Sequence, residues 1–151
     1  MLVIPVLLYG CETWSLNTDL KRRIVVFDRR CLHTIMGYRW YDFASNQRLF
    51  RETDSRPITS IVCQRQLRLY GHVARYPEAD PACRVVSVRG NPTWRRPRGR
   101  PQNSWLRQVY ASCWESLGMG SEPAWRLVRR DRQGWRRRVG EATRHPGLCS
   151  P

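Results

Sequence analysis

Residues 57–75 read P-I-T-S-I-V-C-Q-R-Q-L-R-L-Y-G-H-V-A-R. Proline suits the first position of a helix, where its missing N–H has no partner to lose and its φ is already helical. Ile58, Ile61, Val62, Leu69 and Val73 then recur at spacings that form one apolar face of a 3.6-residue period. Pro77 and Pro81 end the pattern. His72 follows Gly71 inside it, and a lone histidine there reads as a packing or hydrogen-bonding residue.

The same period appears on both sides of this stretch. Upstream, Leu20, Ile24, Phe27, Cys31 and Ile35 repeat at helical spacing, with Thr18 as a cap, Asp19 at the positive end and Gly37 as the stop. Arg22, Arg23, Arg29 and Arg30 fall off that stripe, so Phe27 is expected inside a core. A shorter helix is expected around Ser45–Thr53. Leu2–Tyr9 suits a strand or a short helix, with Pro5 arguing against a central strand. Downstream, Ser104 caps a helix that buries Leu106, Tyr110, Cys113 and Leu117 and ends at Gly118. A second helix starts at Ser121 with Pro123 in its first turn. It carries Ala124, Trp125, Val128, Trp135, Val139 and Ala142 on one side. Arg126, Arg129, Arg130, Arg136 and Arg137 lie on the other. Gly134 weakens that helix by about 1 kcal/mol against alanine. The chain thus reads as mainly α, a small helical bundle followed by a basic C-terminal helical hairpin.

Between them, residues 77–104 hold five prolines (Pro77, Pro81, Pro92, Pro97, Pro101) with Gly90 and Gly99, the composition of a connector. A short ordered piece is expected near Cys83–Val88. The organisation is therefore a helical region over 1–76, a Pro/Gly/Arg-rich linker over 77–104, the hairpin over 105–145 and a tail over 146–151.

The 151 residues carry a formal net charge of +15, almost all of it from arginine, since Lys21 is the only lysine. Residues 1–80 hold 12 basic and 8 acidic side chains, a net of +4, and residues 81–151 hold 15 and 4, a net of +11. Such asymmetry marks a binding half and a more ordinary half. Arginine grips phosphate bidentately and stacks on bases, so the expected partner is RNA or DNA. A drift toward arginine codons would supply the amount, but it would not leave one helix face clean. A basic helix on an anionic membrane surface is the other partner that face suits. No stretch is long enough to span a bilayer, and Met1–Tyr9 lacks a positive flank and a cleavage site, so no membrane and no secretion are expected.

The chemistry of other classes is thin. Two-metal catalysis needs converging carboxylates, and the acids here are dispersed; neighbouring Glu78 and Asp80 read as solvated loop acids. The six cysteines show no C-x-x-C spacing, and His33, His72 and His145 complete no zinc pattern. They read as reduced thiols in a nuclear or cytoplasmic protein. No catalytic residue, metal, cofactor or small-molecule substrate is expected. The contact residues expected for nucleic acid are Trp94, Arg95, Arg96, Arg98, Gly99 and Arg100 in the linker, with Arg126, Arg129, Arg130, Arg136 and Arg137 on the last helix. Trp94 is the exposed stacking candidate, whereas Trp105, Trp114, Trp125 and Trp135 sit at helical spacing and are expected in the core. Pro97-Arg98-Gly99-Arg100-Pro101 also matches the core of an AT-hook, in which an extended glycine-centred segment lies in a narrow minor groove.

Several stretches together resemble the region downstream of the palm in non-LTR retrotransposon reverse transcriptases of the endonuclease-bearing type. Leu7-Leu8-Tyr9-Gly10-Cys11-Glu12-Thr13-Trp14 looks like the family's entry into the thumb, and Arg29 to Gly37 like its next helix end. Arg65 to Arg75 is similar to its R-x-L-R-x-x-G-H-V-x-R block. Arg96 to Pro101 followed by Trp105 matches its basic linker, and Asp131-Arg132-Gln133-Gly134-Trp135-Arg136 its closing D-R-x-x-W-R. The departures are Gln102, Asn103 and Ser104 at often basic positions, Arg130 at a usually small one, and the absence of the palm aspartates and the endonuclease. The resemblance implies a thumb-like helical bundle that touches template, primer or target DNA beside the remainder of a reverse transcriptase, and that does not polymerise alone. A free-standing AT-hook-like DNA-binding accessory protein and a non-functional element remnant are the alternatives.

Overall fold

The computed structural model describes residues 3–87, 99 and 104–143, with the side chains of Val3 and Trp40 outside that set. Among the described residues all regular structure is helical: α1 (Val3–Leu7), a 3-10 turn at Cys11–Thr13, α2 (Thr18–Ile35), a 3-10 turn at Trp40–Asp42, α3 (Asn46–Glu52), α4 (Ile58–Val73), α5 (Pro81–Ser87), α6 (Trp105–Leu117), α7 (Ser121–Arg130) and α8 (Arg132–Ala142). The leading apolar run is thus helical over Val3–Leu7 and turns at Leu8 and Tyr9.

Short polar side chains set the helix starts, as capping requires. Asn17, not Thr18, caps α2: its Oδ1 accepts from the Leu20 N–H at 2.7 Å. Ser45 Oγ accepts from Arg48 N for α3 and Ser104 Oγ from Arg107 N for α6. Asp80 Oδ1 accepts from Ala82 N at 2.8 Å at the head of α5. Pro57 offers α4 no side-chain cap. The first N–H of α4, on Ile58, instead donates to Asp28 Oδ2 of α2 at 3.4 Å. Burial raises that carboxyl above its ordinary range, and the bond from Ile58 offsets part of the rise. Gly118 ends α6 in a left-handed conformation (φ 62°), the backbone that glycine takes without a Cβ penalty.

The 57–75 stretch is the central element. Its first half, with Ile58 and Val62, closes one apolar cluster with Leu8, Cys11 and Leu16. Its second half closes the larger cluster: Leu67, Tyr70 and Ala74 pack with Val86 of α5, Val109 and Cys113 of α6, Ala124 and Val128 of α7, and Trp135 and Val139 of α8. Polar threads tie the leading segment to both. Arg65 donates to the Leu8 carbonyl at 2.7 Å, Gln66 to Trp14 O at 2.8 Å, and the Trp105 indole to Glu12 O at 2.6 Å. Leu16 N donates to Gln108 Oε1 at 3.0 Å while Gln108 Nε2 returns a bond to Leu16 O. The packing therefore does not divide at residue 76. Residues 81–87, inside the stretch read as linker, form a helix whose Cys83 and Val86 are buried.

Three expectations are corrected. The α2 stripe is not a core face: Leu20 is 43 % exposed, Phe27 46 % and Ile35 65 %, and only Leu32 of that helix is buried. Of the stripe, Ile24 packs against the smaller cluster and Cys31 is half-buried, while Asp28, off the stripe, reaches the head of α4; Leu20, Phe27 and Ile35 are left facing solvent. The last helix is two helices. Asp131 is extended (φ −135°, ψ 94°), ends α7, and caps α8 by accepting from Gly134 N at 2.8 Å. Gly134 is thus a cap position, where a Cβ would strike the Asp131 carboxylate. Trp114, expected inside, is 68 % exposed, whereas Trp135 is sealed. Cys11, Cys31, Cys83 and Cys113 are free thiols, as expected.

Gly71→Ala should cost about 1–3 kcal/mol in urea denaturation, because the added methyl overlaps the Trp135 indole. Phe27→Ala should cost under about 1 kcal/mol, since that ring is half exposed. The reverse order would refute this packing. A second expectation concerns pH. Burial pushes the Cys113 thiol from 9.0 up to about 12 and lifts the Tyr70 and Tyr110 phenols above 10.0. Groups with a raised folded pKa add stability below the unfolded value and lose it as pH climbs, so stability should fall from about pH 9 upward. Unchanged denaturation midpoints between about pH 8 and 11 would contradict it.

Candidate nucleic-acid interface

The basic surface is organised by the contact between α4 and α8. Gly71 lacks a Cβ where the Trp135 indole lies, so the two helices approach closely, and Trp135 Nε1 donates to the Leu67 carbonyl at 3.1 Å. Tyr70 packs against that indole, ring centroids 6.0 Å apart. Arg75 stands four residues beyond Gly71, in the turn just past the end of α4. On α8, Arg132 and Arg136 flank Trp135 and stand one turn apart from each other.

The charges of Arg132 and Arg136 reach Arg75. Burial depresses Arg75 below its ordinary value, and the positive charges of Arg132 and Arg136 depress it further. Its Nη1 is sealed from solvent and has no hydrogen-bond partner. A buried donor without an acceptor costs roughly 1–3 kcal/mol, more when charged. The ion pairs shown among the described residues lie elsewhere: Arg48 with Glu52 at 2.7 Å, Arg126 with Glu122 at 3.5 Å and Arg129 with Glu78 at 3.2 Å. Three arginines with no carboxylate ion pair shown among the described residues, one of them holding an idle donor, are suited to an oxyanion.

The residues expected from sequence fall into three groups. Trp94, Arg95, Arg96, Arg98 and Arg100 lie outside the described residues; Gly99 is described, with open space where a Cβ would sit. Arg126, Arg129 and Arg130 belong to α7, whereas Arg136 and Arg137 belong to α8, so the single arginine face is divided at Asp131. Two of the α7 arginines are engaged: Arg126 with Glu122, and Arg129 with Glu78 and with the face of Trp125, 5.4 Å from its centroid. Glu78 is a solvated acid, as read, its side chain 82 % exposed, and it pairs with Arg129 from the surface. Arg136 and Arg137 are exposed. Arg137 and Arg138 also line an open cleft of about 650 Å³ at the end of α6.

Arg75 and Arg132 were not singled out from sequence. The usable signal was Gly71 in a helix interior, which marks a close approach by a bulky partner, so that charges one turn away are carried together. His72, beside it, is exposed and bonded to the Tyr76 hydroxyl at 2.9 Å, as a hydrogen-bonding histidine would be. Comparison of the chain with protein-family models, with curated proteins and with solved structures finds no match.

Replacing one cation with a carboxylate should relieve the cluster. Arg136→Glu is expected to raise the free energy of unfolding by up to about 1 kcal/mol, the range of a partly exposed ion pair, by giving Arg75 a counter-charge. Thermal denaturation at low salt tests it, and a lowered melting temperature would mean that Arg75 is not short of an anion.

Proposed function

We propose that the chain is a non-catalytic nucleic-acid-binding helical module, corresponding to the thumb and downstream region of a non-LTR retrotransposon reverse transcriptase and working beside the rest of such an enzyme. The observation that carries the reading is the Arg75–Arg132–Arg136 cluster, which lacks a carboxylate partner among the described residues. Phosphates supply what it lacks. The segment around it is also the segment that carries the family resemblance, Arg65 to Arg75 and Asp131 to Arg136. The site is nuclear or cytoplasmic in this reading, and no helix of the described residues is long and apolar enough to cross a membrane.

The carboxylates support the non-catalytic part. Asp28, Asp80 and Asp131 hold helix starts, and Glu52, Glu78 and Glu122 hold arginines. Acids used in this way are spread over the molecule, whereas two-metal phosphoryl transfer requires them at one point. The basic heptad Arg95 to Pro101 extends the interface as a connector in the same reading.

Binding to duplex DNA should be strongly salt-dependent. About four neutralised phosphates give a log–log slope near −3.6, and Arg132→Ala with Arg136→Ala should flatten it by up to about 1.8 on all sequences alike. Primer extension with Mg²⁺ or Mn²⁺ should give no product. An unchanged slope in the double variant would remove the cluster from the interface. An A·T-duplex preference abolished by Arg98→Ala with Arg100→Ala would favour the AT-hook reading instead.

A further inference from the structure

The turn that joins α2 to α3 carries a feature the fold does not use. After α2 ends, Gly37 turns the chain (φ 70°) and a 3-10 turn follows at Trp40–Asp42, in which Asp42 Oδ2 accepts from Arg39 N at 2.6 Å. Phe43 comes next with φ 45° and ψ 34°. Left-handed backbone is rare for a bulky residue, and the phenylalanine side chain offers no local hydrogen bond to favour it. Its ring is 88 % exposed, so no burial offsets the strain.

Phe43 stands at the rim of an open cleft of about 600 Å³ whose other walls include Arg30, His33, Tyr38 and Arg39. That volume lies within the range of small-ligand sites, roughly 300–1,000 Å³. Tyr38 is fixed from several sides. Its hydroxyl donates to Glu52, the Arg48 guanidinium lies over its ring at 5.6 Å from the centroid, and His33 meets it edge to face at 6.0 Å. Arg48 is occupied by Glu52. Arg30 and Arg39 have no ion pair shown among the described residues. A presented aromatic face beside two guanidiniums is the arrangement by which single strands are held, bases on rings and backbone on cations.

We propose that this cleft holds one unpaired nucleotide of a single-stranded segment, its base stacked on Phe43 and its flanking phosphates on Arg30 and Arg39. This rests on the nucleic-acid reading above and adds a contact that duplex cannot make, because paired bases offer no free face. An acidic peptide would satisfy the arginines but would leave the ring unused.

The test compares a fluorescein-labelled oligothymidine, an abasic strand of equal length and a duplex, by anisotropy, on the full chain. Phe43→Ala should weaken oligothymidine binding by roughly 5- to 100-fold, leave duplex binding unchanged, and reduce the parent's advantage for oligothymidine over the abasic strand. Phe43→Trp should restore it. Phe43→Gly should lose the same affinity while melting no lower than the parent, an outcome that a structural role for the ring would not give. Equal binding by parent and Phe43→Ala, or displacement of the oligothymidine by polyglutamate as readily as by unlabelled strand, would overturn the cleft. Duplex binding that persists with the slope described above would leave the wider reading intact, whereas loss of all binding in the parent would end both.

Discussion

Everything in the larger cluster depends on one close approach. Gly71 yields the volume that the Trp135 indole occupies, and the indole N–H reaches the Leu67 carbonyl on the same helix. A tryptophan buried this way carries a large apolar area and a polar edge that must be satisfied, and α4 does both. With α8 fixed on α4, Val128 of α7 and Cys113 of α6 close around Tyr70. The contact also has an electrostatic consequence. It brings the cations one turn away from it together, so the basic cluster is a by-product of core packing rather than of a separate binding loop.

The smaller cluster is held differently. Leu8, Cys11 and Leu16 supply little area, and the chain between them is secured by side chains that bond its carbonyls: Arg65, Gln66, Trp105 and Gln108. Three of these four, Arg65, Gln66 and Gln108, are polar side chains that a purely apolar core would not hold. Buried backbone acceptors need donors, and here α4 and α6 provide them, which also explains why Gln66 is buried on a helix with a polar reading at that position.

The helices themselves were legible. Period, prolines and caps locate α4, α6 and α7 closely, and Ser104 and Gly118 act as read. What failed was orientation. The α2 stripe of Leu20, Phe27 and Ile35 is a sound amphipathic pattern, yet these three face solvent while Asp28, off the stripe, reaches the head of α4, a tertiary bond that no single-helix argument contains. The break at Asp131 was missed because both flanks share one apolar period; the aspartate three residues before Gly134 was the available sign. Of the site, Arg136 was legible as a charge, but its meeting with Arg75 required knowing which helix Gly71 touches.

The central claim is that guanidiniums without a carboxylate ion pair among the described residues, and not basic charge in general, form the proposed interface. Arginine modification by phenylglyoxal, mapped by mass spectrometry with and without a saturating oligonucleotide, addresses it directly. The account predicts strong protection of Arg132 and Arg136, with the engaged Arg48 and Arg126 modified equally in both samples. Equal protection of all four, or protection confined to Arg48 and Arg126, would contradict it.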